Sequence, residues 1–455
     1  MIISRGLIFF FRLKIFCISF LKFFYHYKQR KLSKKTFNTL KLWWYEESHD
    51  SQLDLLHKKG LNKILRQALI NCRYYSKIGK DNANSEFDLL NHFPIIDKNI
   101  IRNNFKEFVA SNLKKLKYFD MNTGGSTGEP LEFPVDISAS YIDKAHQKFN
   151  FYLMGYKKGD IIAGFGGANV DKRLIKHNIY FQPLDNLSYA HYSFSSIYLN
   201  EKNISFYIKN LKILKPSILR GYPSFIYQLS DYIIKNDIEL NFNVKGVLLT
   251  AENFFDYQID TIKKAFATDI YFQYGHSEIA IFAFSSKNDY RYYCSPFYGF
   301  VEVINEYNAQ VNIGEEGEVI VTGFNNLAMP FIRYRTGDRA IYGGRNNKCI
   351  ILNKVLGRNQ DYVYDTNITK YALTAVVFGQ HFNSFKNIKK WQIIQNVPGE
   401  VDIYLIKGEN YSENDEQEIF SKFLKNANIK VNFKYIESIE LTQRGKHKFL
   451  IQNIR

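Results

Sequence analysis

Acidic residues are missing from the first 45 positions of this chain. The first is Glu46, while Arg5, Arg12, Lys14, Lys22, Lys28, Arg30, Lys31, Lys34 and Lys35 place nine positive charges in residues 1–35. The formal net charge of +17 therefore falls to +8 (17 − 9) over the remaining chain, modest for its length. A basic stripe interleaved with aromatics through a domain is absent too, which excludes nucleic-acid binding as the main role. Cysteine is scarce: Cys17, Cys72, Cys294 and Cys349 stand alone with no C-x-x-C spacing. That excludes a disulfide framework and a cysteine-held zinc site, and it fits a reducing cytoplasm. No uncharged apolar run reaches the ~20 residues needed to span a bilayer, because Arg12, Lys14 and Lys22 interrupt the first 28 residues. No small-residue cleavage site follows that part, so a secretory signal is not expected. Fixed-period repeats and long linkers are missing as well.

What is present is a globular composition. At 455 residues and 45% hydrophobic, the chain can bury a large core divided over two or three domains. At the N-terminus, Arg5, Arg12, Ser19 and His26 recur every seven residues with Lys22 on the same side. A helix there carries a basic face opposite a wide face of Phe, Ile and Leu. Two placements satisfy it: the headgroup region of an anionic membrane, or packing on the main domain with the basic face in water. Residues 1–35 are accordingly set apart as an N-terminal segment. The first placement implies a cytoplasmic protein held peripherally on the inner face of the cell membrane.

Apolar spacing predicts a helix from about Leu53 to Cys72, another after Ile101-Arg102, and a strand from Leu131 to Val135. Pro223 opens a helix with Phe225, Ile226, Leu229 and Ile233 on one face. Gly246–Thr250 reads as a buried strand, Phe255–Phe266 as a helix, and Asp269–Phe272 as a strand running into Tyr274. This alternation predicts an α/β sheet covered by helices, with ligands gathering where strands end. From Val301 the pattern is strand-rich, with Glu318–Thr322 and Cys349–Leu352 as strands. A boundary falls near Gly357-Arg358, giving a large domain over 36–356 and a small one over 357–455. The small domain reads as helix, two strands (Trp391–Asn396, Val401–Ile406), helix (Glu416–Leu424) and strand (Val431–Glu437).

Asn122-Thr-Gly-Gly-Ser-Thr-Gly-Glu-Pro130 is the most distinctive stretch. Its glycines let a backbone approach a ligand closely, and its hydroxyls add donors, which suits a polyphosphate as well as a plain turn between strands. It is neither a Gly-Lys-Ser/Thr loop nor a Gly-x-Gly-x-x-Gly fingerprint. Three further motifs follow in order: Tyr274-Gly-His-Ser-Glu278, Tyr334-Arg-Thr-Gly-Asp338 with Gly357-Arg358 behind it, and Gly445-Lys446.

Together these four motifs resemble the adenylate-forming enzyme superfamily, more closely its phenylacetate-CoA ligase branch, and within that branch the capsular-polysaccharide adenylate-forming proteins. The resemblance runs from about residue 53 onward. It implies an α/β fold with a large N-terminal adenylate-forming domain of mixed sheets and covering helices, and a small, mobile α+β C-terminal domain. It also implies an activity: a carboxylate attacks the α-phosphate of ATP to give an acyl-adenylate and pyrophosphate. Under that resemblance Thr123, Gly124, Gly125, Ser126, Thr127 and Gly128 hold the β- and γ-phosphates. Glu278 helps to bind Mg²⁺. Tyr274 and Gly275 lie against adenine with Glu252 on the opposite wall, Asp338 takes the ribose hydroxyls, and Arg358 stands behind it. Lys446 bridges the α-phosphate and the attacking carboxylate. Gly166, Gly167, Tyr222 and His276 are candidates for the acid pocket, although the stretches Gly164-Phe-Gly-Gly167 and Gly221-Tyr-Pro-Ser224 read equally as glycine turns in the scaffold.

One departure bears on the second half-reaction. Relatives that make a CoA thioester carry a glycine in a loop after the hinge. Here Asn367 stands at that place, with no glycine between Arg358 and Gly379. Asn tolerates a left-handed backbone. Two acceptors remain open: CoA, or an amine or hydroxyl, such as that of a lipid-linked sugar in surface-polysaccharide assembly. A non-catalytic, membrane-associated assembly protein is the alternative from another class.

Overall fold

The computed structural model describes residues 27–46, 51–78, 83–122, 131–167, 170–184, 190–252, 254–287, 289–358, 362–372, 384–441 and 447–454. Five strands, Ile270–Gly275, Gly246–Thr250, Ile218–Gly221, Ile162–Gly166 and Tyr192–Ser195, lie side by side and parallel in that spatial order. They form one side of a twelve-stranded sheet. Phe181–Pro183 closes one edge antiparallel. On the other side the sheet continues antiparallel through Phe282–Ser286, Asp289–Cys294, Ile350–Arg358, Tyr334–Arg345, Glu316–Gly323 and Gly299–Ile304.

The parallel strands are largely buried because both of their faces are covered. Val247, Leu248 and Leu249 are almost fully buried, as are Ile218 and Leu219. The helix Pro223–Lys235 begins with proline at its first position, where a missing N–H costs nothing. It buries Phe225, Ile226, Leu229 and Ile233, each contributing about 1.5–3 kcal/mol of transfer free energy. Gly164 and Gly166 belong to an interior strand of the parallel set, where the sequence also allowed a scaffold turn. A Cβ on Gly164 would sit 2.9 Å from that of Ala190, so tight packing of chain on chain accounts for that glycine.

The helix Tyr27–Tyr45 runs across the boundary expected at 35/36. Lys28, Lys31, Lys34 and Lys35 are exposed, while Leu40 and Trp43 are buried. Phe37 meets Tyr152 edge-on at 5.8 Å, packing the helix on Ile137–Leu153. Over residues 27–45, then, the basic face is in water and the apolar face is on the main body. The heptad-spaced residues Arg5 to His26 lie outside the described residues. Among the described residues no helix is long and apolar enough to cross a membrane.

After Arg358 a separate core forms from Val363, Trp391, Ile393, Val401, Ile403, Leu405, Ile419, Phe423 and Leu450 among others. Its sheet orders Lys430–Tyr435, Glu400–Lys407, Ile388–Val397 and Leu450–Gln452, with both outer strands parallel to their neighbours. The helix Glu413–Ala427 covers it, its first turn fixed by Asp415 accepting from Ser412 N at 2.8 Å. Among the described residues a short hairpin (Tyr362–Tyr364, Lys370–Ala372) and a 3₁₀ turn at Ser384–Asn387 stand before the first long strand. The helix expected ahead of that strand is not tested, since residues 373–383 lie outside the described residues. One element departs from the expected order. The final strand, Leu450–Gln452, is too short to leave a periodic signal.

His146, fully buried in the helix Ile137–Leu153, shows how the core depends on pH. Its Nδ1–H donates to the Ile142 carbonyl at 2.8 Å, so Nε2 accepts from the Ser295 hydroxyl at 2.9 Å. Burial pulls its pKa down to about 4, against the Ile142 hydrogen bond. The unfolded chain, with an ordinary histidine, takes up a proton first. This contribution is therefore complete above pH 6.5 and is lost as pH falls toward 4, amounting to roughly 2 kcal/mol at pH 5. His146→Gln should flatten the fall of Tm between pH 7 and 5 in thermal scans. An unchanged slope would remove His146 from the account.

Candidate active site

The five parallel strands all end on one side of the sheet, and the chain leaves them as Gly166-Gly167, Ser196, Tyr222, Ala251-Glu252 and His276. Parallel topology alone thus brings together sequence positions more than a hundred residues apart. A Cβ on Gly221 would come within 2.5 Å of the Phe165 carbonyl oxygen, and one on Gly275 within 3.0 Å of the Ile281 carbonyl oxygen. Both are glycines because backbone passes there. Gly166 lies beside Tyr222, whose ring would be 3.7 Å from an added Cβ.

Tyr274 and Asp338 belong to strands with three others between them in sheet order. Even so, the Tyr274 hydroxyl donates to Asp338 Oδ2 at 2.8 Å, so the antiparallel half curls back over the strand ends. Burial first, and the Asp338 carboxylate next, raise the Tyr274 pKa well above the usual tyrosine range. The phenol therefore remains a donor. Asp338 is the register partner of Arg358 on the neighbouring strand, which brings three of the expected nucleotide residues to one place. Thr336 fixes the turn before Asp338, donating to the Val319 carbonyl and accepting from Asp338 N.

Glu278 is 8% exposed. Its Oε1 accepts from the Tyr334 hydroxyl at 3.1 Å, and its Oε2 lies 3.1 Å from His276 Nδ1, out of line for a hydrogen bond. Burial raises the Glu278 pKa. His276 and the surrounding hydrogen bonds outweigh it, and the carboxyl is held below its ordinary value. Glu278 is therefore an anion in a dry setting. Next to it Ile279 takes φ of 53°, a left-handed conformation that costs a β-branched residue roughly 1–3 kcal/mol. Arg333, just before Tyr334, is left-handed as well.

Glu252 follows a third left-handed residue, Ala251, at φ 71°. Its Oε2 accepts from Ser224 N at 3.2 Å and Ser224 Oγ at 2.7 Å, at the N-terminus of the helix Pro223–Lys235. Its Oε1 accepts from the backbone N–H of His447 at 2.9 Å. The carboxylate expected on the adenine wall is thus engaged on both oxygens, one of them by the small unit.

Thr123, Gly124, Gly125, Ser126, Thr127, Gly128 and Lys446 lie outside the described residues. The strands on either side of the glycine-rich stretch pair antiparallel, Asn122 on Tyr118–Asn122 opposite Glu132 on Glu132–Asp136. The sequence named Ser224 only as part of a possible acid-pocket loop, and the contacts of Ser224 and His447 with Glu252 were not foreseen. A serine directly after a helix-opening proline is the one local signal, because its N–H lacks an intrahelical acceptor.

Asn367 is not the left-handed residue of its turn. Asp365 Oδ1 accepts from the N–H groups of Asn367 and Thr369, both at 2.8 Å, and Ile368 takes φ of 62°. The loop therefore places a β-branched residue where glycine is easiest.

Residues 367–453 match the CapK C-terminal domain family. Protein CapK of Staphylococcus aureus is 28% identical over 412 residues, covering 85% of this chain and 86% of that protein. Among solved structures, 2-hydroxyisobutyryl-CoA ligase in its postadenylation state, in complex with R3-HIB-AMP, superposes with a TM-score of 0.67 at 15% identity, over 87% of this chain and 88% of that one. An open conformation of the same ligase with 2-HIB-AMP and CoA gives 0.54 at 16% identity, over 87% and 90%. The chain thus carries a CapK C-terminal domain match over residues 367–453, is similar to Protein CapK over most of its length, and shares its fold with 2-hydroxyisobutyryl-CoA ligase.

Proposed function

We propose that this chain activates a carboxylic acid with ATP, giving an acyl-adenylate and pyrophosphate, and then passes the acyl group to an amine or hydroxyl acceptor in surface-polysaccharide assembly. The observation that carries the first step is the convergence of Tyr274, Asp338 and Arg358 beside the ends of the parallel strands. Tyr274 offers a ring for adenine, and Asp338 offers a carboxylate for ribose hydroxyls once Tyr274 gives way or shares it. Glu278 supplies a buried hard oxygen. Among the described residues no group of three His, Cys, Asp or Glu side chains could hold a metal by itself. One carboxylate therefore fits Mg²⁺ shared with nucleotide oxygens and water, as that ion prefers. Bound there, Mg²⁺ would neutralise phosphate charge. The small unit after Gly357-Arg358 would act as the lid that brings Lys446 to the reacting atoms.

Transfer to an amine or hydroxyl rather than to CoA is favoured by the Ile368 turn, since the loop that lines the thiol channel in thioester-forming relatives lacks its glycine here. Similarity to a CoA ligase keeps the thioester reading as the second candidate. Pyrophosphate release from ATP across amino acids, hydroxy acids, aryl acids and uronic sugars tests both. Acid-dependent release, with no stimulation by CoA, is the expected result. Robust acyl-CoA formation would overturn the acceptor and restore the ligase reading, and no release with any acid would overturn adenylation.

A further inference from the structure

Glu252 hydrogen-bonds through its two oxygens to two different units of the fold. Oε2 takes the Ser224 N–H and hydroxyl of the large unit, and Oε1 takes the His447 N–H of the small unit, 195 residues away in sequence. The Ser224 N–H is one of the unpaired donors at a helix N-terminus, so the helix dipole adds to the attraction for the carboxylate. Ala251, held left-handed, turns the chain at the strand end so that Glu252 meets both partners.

The surroundings repeat the same pairing. Lys389 Nζ of the small unit bonds Glu201 Oε1 of the large unit at 2.5 Å, and Lys390 next to it lies within the electrostatic reach of Glu252 and Glu201. Two acids of the large unit thus face two lysines of the small one. Phe255 packs against Trp391 and Phe449 at 6.0 and 5.8 Å. On the far side of His447, Nε2–H donates to the Trp391 carbonyl at 2.8 Å, tying that residue to the first long strand of the small unit. An exposed pair such as Lys389–Glu201 contributes little on its own. The shielded, charge-assisted bond from His447 N to Glu252 is the stronger one.

We propose that Glu252 is a positioning residue whose carboxylate docks the small unit on the large one, fixing the peptide nitrogen that His447 shares with Lys446. This rests on the reading of Lys446 as the group that acts on the reacting phosphate. It assigns Glu252 a different job from walling adenine. Docking sets how often the lysine is delivered, so it acts on turnover. An adenine wall acts on nucleotide affinity.

The test separates these. With Cys17→Ser in the background, nitroxides at the exposed positions Lys235 and Lys434 report the separation of the two units by pulsed electron resonance. The three described cysteines are buried and will not label. Glu252→Ala should broaden a narrow distance distribution toward longer separations and lower kcat for pyrophosphate release on the order of tenfold, the equivalent of one charge-assisted hydrogen bond. KM for ATP should change little. Glu252→Gln keeps the shape and the fold. Its amide oxygen can serve only one of the two backbone donors, so an intermediate distribution is expected. Unchanged distances in both variants overturn the proposal, as does a raised KM for ATP with unchanged kcat. The distance measurement needs no turnover, so it stands even if no acid is adenylated.

Discussion

Replacing Lys446 with alanine should cut acid-dependent pyrophosphate release by about two to three orders of magnitude, the usual scale for removing one preorganised group that meets developing charge. As the carboxylate oxygen approaches the α-phosphate, negative charges are forced together, and the charge peaks in the transition state. A flexible ammonium on a separate unit can meet that charge without having to bind ATP tightly beforehand. The nucleotide contacts assigned here, Tyr274, Asp338 and Arg358, belong to the large sheet and its last strand. The Kd for a non-hydrolysable ATP analogue, measured by calorimetry, should therefore stay within a few-fold. Lys446→Arg should recover part of the rate, since it keeps the charge but spreads it over a plane. Undiminished release by Lys446→Ala would remove the lysine from catalysis, and lost analogue binding would make it a nucleotide ligand instead.

How far the molecule could be read from its sequence depended on the range of the interactions involved. Local rules placed the helix at Pro223 and the strand Gly246–Thr250 at the bounds found, because a helix-opening proline and a bounded apolar run are local signals. The motifs around Tyr274 and Asp338 were legible as chemistry. Their hydrogen bond was not, since it depends on a sheet curling across three intervening strands. Gly164 offered a turn reading and belongs to an interior strand of the parallel set, because what selects glycine there is a neighbouring segment, invisible to local pattern. In the loop after the hinge, Asn367 was the natural choice for a left-handed residue by propensity. The carboxylate of Asp365 instead clamps the N–H groups on either side of Ile368 and pushes the unusual conformation onto it. A local side-chain clamp on the backbone overrode residue preference. The contact between Glu252 and His447 is the extreme case, a pairing between two cores that no sequence window contains.

Glu278→Gln should lower adenylation by at least about 10–100-fold, the scale seen when even an outer partner of a metal ligand is lost, and part of the loss should return at raised Mg²⁺. The substitution is nearly isosteric, and the Tyr334 hydroxyl can still donate to the amide oxygen, so packing around this buried position should survive. What disappears is the negative charge. In the native site that charge persists against the cost of burial because His276 and the surrounding hydrogen bonds favour it. A carboxylate kept ionised in a dry pocket could supply a full charge to a hard cation, which a glutamine cannot. An amide oxygen is a weaker donor to Mg²⁺, and mass action on the metal compensates only for affinity lost at the ion. Titrating Mg²⁺ against pyrophosphate release, with Tm recorded in parallel, separates the two roles open to Glu278. A right-shifted metal curve with nearly unchanged Tm marks a metal ligand. A lowered Tm with normal metal dependence marks an anion retained to hold Tyr334 and the left-handed turn at Ile279 in place.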